Sequence, residues 1–598
     1  MISFNVQIRD FPFDGTSQGR IESWKSENRE YGSNWPVVYM IHNDDAREAY
    51  IGETLNAGKR AAQHWLVNER KRLKTIHIMT DDTFNKSVIL DLESFLIKYV
   101  SADGKYELQN GNSGLSNFDY YSRNEYEQQF LKIWEKLKEL GLVRKGIKDI
   151  EDSDFFKYSP YKSLTKDQGV VLDKILYFLT GYLKKGLECT LLVEGGAGTG
   201  KTIMAVYLLK LLCDLKNNVY EKSDEIDSDD MEYDEIQELL KNRELKIGFI
   251  VPQQSLRETI KKVFRTIHGL PETLVYTPAE AAQKAKNVPF DLLVCDEAHR
   301  LRRREALSQY PAFDKVNQDM GWSSDTTELD WIIRSSRMQL LFYDESQSVR
   351  PSDIPRDMFR QILSGQSIQR LKLTSQLRCL GGDDYIQYIK EVLNVQGFGF
   401  NGDPGDTQHN GIMREETTAF NIPLPHGKFD DYTLEFYDDV DQMMDEINRL
   451  NSKYDLSCAV AGYAWKWITK NEPKNTELRD INIGKGYIWN RTYTDWINSD
   501  RLPYEIGCIH TVQGYDLNYV GVIFGPEIIY DPKTKRIEVV KKEYHDSLGK
   551  AVRDDYEALR TYILNIYATL LTRGIRGALV YVCDPNLREY LRPFFSKN

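Results

Sequence analysis

The chain has 598 residues, 41% of them hydrophobic and 28% charged, which is too long for one core and too apolar for disorder, so several folded domains are expected. A formal net charge of −12 excludes a surface that is a nucleic-acid platform throughout, because phosphate binding needs clustered Lys and Arg. No apolar run is long enough to span a bilayer, the first residues lack a leader pattern, and the seven cysteines form no CxxC pair. A reduced, cytoplasmic protein without membrane contact or a zinc site is expected.

Residues 1–115 alternate short apolar runs with helical patterns and close in the turn-rich QNGNSG, which predicts a small α/β domain. Phe130, Leu131, Ile133, Trp134, Leu137 and Leu140 recur at helical spacing before Gly141, so the connector 116–158 is predicted to hold an amphipathic helix. Over 159–368 the runs TLLVEG, KIGFIVP, FDLLVCDE and MQLLFYDE alternate with helical segments, as in a parallel sheet with crossover helices. Inside it, the run from Glu221 to Glu238 is too charged to fold alone, and 219–240 is expected to be a solvated acidic insertion. A second series fills 369–598, with SCAVAGY, GVIFG and ALVYVCD as central strands and a Gly/Pro-rich surface insertion from Gly397 to Gly427. The expected class is α/β, a small domain followed by two parallel-sheet lobes.

The segment LLVEGGAGTGKT sets a strand, a glycine-rich loop and a helix in the order of a phosphate cradle made of Gly195, Gly196, Ala197, Gly198, Thr199, Gly200, Lys201 and Thr202. Gly195 and Gly200 permit close backbone approach, Lys201 reaches the β and γ phosphates, and the Thr202 hydroxyl ligates magnesium. FDLLVCDEAHRL ends a second strand in Asp296, a magnesium ligand through water, and Glu297, which polarises the attacking water. ATP and Mg²⁺ are the implied cofactors.

Further segments occur in order: SLTKDQ, YDESQSVRP, LTSQLRC, HTVQGYDLNYVGVIFG and YATLLTRGIRGALVYV. With the cradle they resemble the motifs of superfamily-1 helicases, and more closely the bacterial helicase-like family related to the ATPase half of long Schlafen proteins. The resemblance spans about Tyr161 to Leu591 and implies two RecA-like lobes. It implies that Gln168 reads adenine, Gln347 senses the γ-phosphate, Arg378 contacts phosphate, and Gln513, Gly514 and Asp516 link nucleotide to the nucleic-acid track. Arg573 is then the arginine finger, and Arg576 beside it a further ATP-binding residue at the cradle. Tyr343 departs from the pattern, standing where many relatives have Gly. Trp465, Trp467 and Trp489 are candidate base-stacking residues, set against the ordinary reading of aromatics as core.

The N-terminal runs VVYMI and AYIGET place Tyr39 and Tyr50 on paired strands, with Gly52 after the second; GKRAAQHW carries Arg60 and His64, ILDLESFLIKY carries Glu93, and Asn110 and Asn112 follow in a turn. Phosphodiester hydrolysis uses a carboxylate to hold a divalent cation, a guanidinium to hold the phosphate and a group that positions or deprotonates water. The ordered set resembles the GIY-YIG nuclease core, although Val37 replaces the first Gly of the namesake motif. The resemblance implies Mg²⁺ or Mn²⁺ on Glu93, phosphate on Arg60, catalytic Tyr39 and Tyr50 that position or deprotonate the water, a catalytic His64, and a structural or phosphate-contacting Asn110 or Asn112. Arg70, Lys71, Arg72 and Lys74 are expected to grip the flanking backbone.

A GIY-YIG nuclease joined to a superfamily-1 motor is therefore expected, acting on nucleic acid with DNA favoured over RNA, in bacterial defence against foreign DNA. It leaves room for an oligomer or a partner protein. The alternatives are a motor whose N-terminal domain only binds nucleic acid, and a nucleotide-gated sensor, in DNA repair or RNA processing.

Overall fold

The computed structural model describes residues 5–25, 29–110, 120–151, 156, 158–161, 164–196, 198–217, 230–241, 243–344, 347–348, 350–373, 379–393, 429, 432–454, 456–472, 475, 477–491, 496, 502–512, 517–546, 549 and 555–595. Gly397 to Gly427, Ala197, Arg378, Gln513, Gly514, Asp516 and Asn112, singled out above, lie outside the described residues.

The N-terminal sheet holds β1 (Gln7–Pro12), β2 (Val37–Asn43), β3 (Glu48–Thr54), β4 (Thr75–Thr80) and β5 (Glu107–Leu108) in the order β1-β4-β2-β3-β5. β2 and β3 form an antiparallel hairpin that sets Tyr39 opposite Gly52 and Ile41 opposite Tyr50. Alternation along β2 sends Tyr39 and Ile41 to one face, with the helix Ala57–Leu66, and Val38 and Met40 to the other, against the helix Lys86–Asp103. Asn56 and Asn85 start those helices, each side chain accepting a backbone N–H from the first turn.

Two six-stranded parallel sheets follow. The first contains β6 (Cys189–Gly195), β7 (Ile247–Ile250), β8 (Val275–Tyr276), β9 (Phe290–Cys295), β10 (Ser336–Tyr343) and β11 (Ile368–Leu373), ordered β11-β6-β10-β9-β7-β8. The second contains β12 (Thr433–Tyr437), β13 (Cys458–Ala461), β14 (Ile488–Trp489), β15 (Glu505–Cys508), β16 (Leu517–Phe524) and β19 (Gly574–Val582), ordered β12-β19-β16-β13-β15-β14, with β17 (Ile528–Asp531) and β18 (Arg536–Val539) as a separate hairpin. The unbroken apolar runs of the central strands suit burial on both faces. The expected boundary at 368/369 cuts into β11, which pairs with β6, so the first sheet runs on to Leu373.

One core runs without a break from the N-terminal domain through the connector into the first lobe: Met40, Val100, Trp134, Tyr158, Leu176 and Val206 belong to the same buried cluster. Part of the acidic run also enters it. Residues 218–229 lie outside the description, but Asp230–Lys241 is a helix whose Ile236 and Leu240 are buried in that core, so this portion is no solvated loop. Glu238 of the same helix is exposed, so a buried apolar stripe and an outer charged side coexist, a pattern that the density of Asp and Glu conceals.

In the second lobe, Glu527 is completely buried behind Gly462 and Gly525, where a Cβ would strike its carboxylate. Tyr567 donates to one carboxylate oxygen at 2.5 Å, and the other has no hydrogen-bond partner among the described residues. Burial pushes this carboxyl up to about 7 from an ordinary 4.5. Below about pH 4.5 folded and unfolded chains both hold the proton. Between 4.5 and 7 only the folded chain keeps it, so stability falls through that window. Glu527→Gln should therefore gain about 3 kcal/mol relative to wild type between pH 4.5 and 7.5, read from denaturant titrations; a difference independent of pH would refute the assignment. No helix among the described residues is long and apolar enough to cross a membrane.

Candidate functional site

The cradle begins where β6 ends. Gly195 is required by crowding, since a Cβ there would come within 2.6 Å of Thr199 Oγ1 and 3.1 Å of Leu373. Gly198 and Gly200 have φ of 87° and 79°, a region disfavoured for residues with a side chain. The helix Lys201–Asn217 then carries Lys201, buried, whose Nζ donates to the carbonyls of Gly195 and Gly196 at 2.7 Å each and lies 3.4 Å from Asp344.

Asp296 and Glu297 follow β9. Thr202 donates to Asp296 Oδ2 at 2.6 Å, while Asp296 Oδ1 is buried with no hydrogen-bond partner among the described residues. Burial, together with the adjacent Glu297 carboxylate, raises the Asp296 carboxyl to about 7. Burial pushes Glu297 upward too, but His299, 2.9 Å away, with Lys201 and Arg300, outweighs it and holds Glu297 ionised. Glu297 has φ of 51°, a strained conformation of the kind that collects at functional sites. A hydroxyl beside an orphaned carboxylate oxygen is a hard-oxygen donor set that fits the magnesium ion accompanying a nucleotide.

From Lys201 a polar chain crosses to the second lobe. Gln347 donates to Asp344 at 2.5 Å, and its carbonyl oxygen accepts from Arg573 Nη2 at 2.9 Å. Asn565 adds a bond to the Ser348 carbonyl. Arg573 is buried at the head of β19, whereas Arg576 is exposed and lies over the Tyr454 ring of its own lobe at 5.3 Å, so the expected cradle role does not suit Arg576. Gln168 is also placed otherwise than expected. Its Oε1 caps its own helix at Thr165 and its Nε2 donates to the Thr199 carbonyl, so the side chain braces the loop instead of facing a base. Trp489 is 1% exposed and packed against Tyr463 and Trp465, which makes it core; Trp465 and Trp467 are half-buried. Tyr343 packs on Phe359, with ring centroids 4.5 Å apart.

A second constellation lies in the N-terminal domain. Tyr39 Oη is 2.6 Å from His64 Nε2, the rings of Tyr39 and Tyr50 are 6.3 Å apart, and Gly52 is needed because a Cβ there would strike the Tyr39 hydroxyl. Burial raises the Tyr39 phenol, against the opposing Arg60 guanidinium. Glu93 joins this group, its carboxyl raised to about 8 by burial and by the Glu53 carboxylate, with Lys86 and Arg60 opposing. The grouping of Tyr39, Tyr50, Arg60, His64 and Glu93 is thus spatial as well as sequential. A carboxyl beside a second carboxylate fits a divalent cation better than it fits an empty apolar site.

Arg70 corrects the sequence reading. It is buried, its guanidinium stacked 3.9 Å over the Tyr50 ring and donating to His64 Nδ1, so it is no exposed backbone grip. Since Nδ1 must accept, the neutral imidazole carries its proton on Nε2 and donates it to Tyr39. Burial, then Arg70 and Arg60, hold His64 well below the usual imidazole range. Lys74 pairs with Asp45 at 2.6 Å, Arg72 with Glu48 at 3.2 Å, and Lys71 donates to Asn68. Asn110 commits both ends of its amide to the Ile51 backbone, strapping β3 in place, which is the structural one of its two expected roles. The contact of Arg70 was beyond reach of sequence patterning, because a basic run reads as surface until the fold turns one member inward.

The description "Schlafen group 3, DNA/RNA helicase domain" matches residues 188–584. The chain is similar to an uncharacterized protein of Saccharomyces cerevisiae, 23% identical over 453 residues that cover 72% of this chain and 91% of that one. Among solved structures it is similar to a DEAD box protein from the hyperthermophile Methanococcus jannaschii, at 12% identity, covering 76% of this chain and 96% of that chain with a TM-score of 0.24. A hypothetical ATP-dependent RNA helicase from Sulfolobus tokodaii gives 13% identity, 72% and 95% coverage and a TM-score of 0.20.

Proposed function

The chain belongs to the Schlafen group 3 DNA/RNA helicase-domain family, and from that premise we propose that it is an ATP-hydrolysing motor on nucleic acid whose N-terminal domain is a metal-dependent GIY-YIG nuclease. The observation that carries the motor reading is the chain Lys201, Asp344, Gln347, Arg573, which joins the phosphate cradle to the opposite lobe. Nucleotide phosphate competes for Lys201 and Arg573, the two ends of that chain, so occupancy and hydrolysis change the contact between lobes. A change of contact at each turnover is what moves a bound strand.

The nuclease reading is supported by the clustering of Tyr39, Tyr50 and His64 on one face of the hairpin, with Arg60 and Glu93 near enough to act on the Tyr39 phenol. Glu93 would hold Mg²⁺ or Mn²⁺, which neutralises charge on the phosphate, and Arg60 would hold the phosphate itself. DNA is the favoured substrate, and a cutter joined to a motor suits defence against foreign DNA.

The test is a panel of single- and double-stranded DNA and RNA, with Mg²⁺ or Mn²⁺ and with or without ATP, on wild type and Lys201→Ala. ATP hydrolysis stimulated by nucleic acid and lost in Lys201→Ala is expected, together with cleavage of at least one DNA form. ATPase without cleavage of any form leaves a motor whose N-terminal domain only binds. Nucleic-acid-stimulated ATPase without strand displacement or translocation points to a nucleotide-gated sensor.

A further inference from the structure

On β6, Leu191 and Val193 face the core that includes the helix Lys201–Asn217, whereas Leu192 and Glu194 face the other side of the sheet. There a pocket opens beside the edge strand β11, lined by Glu194, Tyr343, Arg356, Arg360 and Arg370 among others. Register sets Arg370 opposite Leu192 and Lys372 opposite Glu194, so β11 turns its cations to this same face. Arg356 and Arg360 stand four residues apart on the helix Arg356–Leu363, hence on one side of it.

Three guanidiniums converging on one concavity repel one another unless something negative lies between them. Glu194 offsets only part of that charge: burial raises its carboxyl against the pull of Arg370, Arg360, Arg356 and Lys372, and one carboxylate stands against three guanidiniums and an ammonium. The guanidinium groups of Arg360 and Arg370 make no hydrogen bond or ion pair among the described residues and face solvent. Guanidinium forks around an open recess suit a bidentate oxyanion, and of carboxylate and phosphate it is phosphate that brings the greater charge to three cations.

We propose that this recess is a phosphate subsite separate from the nucleotide cradle, with Arg360 and Arg370 as its anion ligands. It takes either a backbone phosphate of the bound strand or the phosphate of a free nucleotide. The strand arm rests on the motor reading above, whereas the free-phosphate arm stands apart from it. The position gives the subsite a consequence. Its walls, Glu194 and Tyr343, immediately precede Gly195 and Asp344, which both contact Lys201. Occupation is therefore felt one residue away in the cradle, on the opposite face of the sheet.

The test uses the full chain and the double variant Arg360→Gln/Arg370→Gln, whose exposed positions carry little risk to folding. In one arm, anisotropy of a fluorescent single-stranded oligonucleotide is followed against salt; the slope of log affinity on log salt should fall by about 1.4 if both contacts are to strand phosphates, at about 0.7 each. Basal ATPase should persist while its stimulation by the oligonucleotide falls. In the other arm, calorimetry with inorganic pyrophosphate is run in a Lys201→Ala background, and loss of binding in the added double variant assigns the subsite to free phosphate. If both arms are unchanged and the variant instead aggregates or melts earlier, the arginines are edge-protecting charges and the proposal is overturned. A wild type that binds no oligonucleotide defeats the motor reading, and the pyrophosphate arm still decides the pocket.

Discussion

Arg573→Ala should lower the rate of ATP hydrolysis by about a thousandfold while leaving nucleotide affinity within a few-fold, the scale on which a guanidinium supplied to the transferring phosphoryl group acts. Arg573 is nearly fully buried and bonded across the cleft to Gln347. It reaches the site only from the other lobe, so its charge counts when the lobes are closed on nucleotide. On the proposed reading, binding depends mainly on the loop amides and on Lys201, all within the first lobe. Arg576→Ala is the control: an exposed arginine resting on Tyr454 should leave the rate within about twofold, as surface substitutions do. Steady-state turnover and titration of a fluorescent nucleotide separate the two effects. A variant Arg573→Ala that turns over normally would sink the assignment of the finger.

Glu93→Gln should abolish metal-dependent cleavage and leave ATPase intact, since an amide cannot replace a carboxylate on a divalent cation. The pH profile carries more information than the null variant. With the metal-free Glu93 carboxyl raised to about 8, proton and cation compete for it, so at limiting metal cleavage should climb with pH up to about 8, and added metal should move that limb to lower pH. Glu53, paired with Lys86 at 2.9 Å, is one cause of that elevation. Glu53→Gln removes the like charge and leaves the Lys86 ammonium, so the acid limb must move to lower pH. A limb that stays in place, or moves up, would show that Glu93 is not the group that limits the rate. Loss of ATPase in Glu93→Gln would argue instead that the two sites are not independent.

Much of this was legible in the sequence because its signals are local. The glycine spacing from Gly195 to Gly200 reflects a backbone that must approach phosphate, and the structure adds positive φ at Gly198 and Gly200. The hairpin of Tyr39 and Tyr50 was legible from alternation, although the reason for Gly52, the Tyr39 hydroxyl above it, appears only in three dimensions. What escaped depends on which way the fold turns a residue. Arg70 and Lys71 are adjacent and both basic, yet one is buried on a tyrosine and the other is at the surface. Ile236 and Leu240 are two apolar residues amid acidic ones, and only their docking against the first lobe reveals a helix there. Gln168 carries the right residue type, but the capping box it completes with Thr165 decides where its amide goes.

The unbroken core from Met40 through Trp134 to Val206 fixes a frame of reference. The N-terminal domain is not a tethered tool but part of the chassis that carries the cradle, so when the lobes shift, the second lobe is the piston. On the proposed nuclease reading, a strand drawn through would pass a stationary blade. Cut positions would then fall at a fixed distance from the motor's footprint and advance in whole stepping units, giving a ladder of fragments instead of a smear.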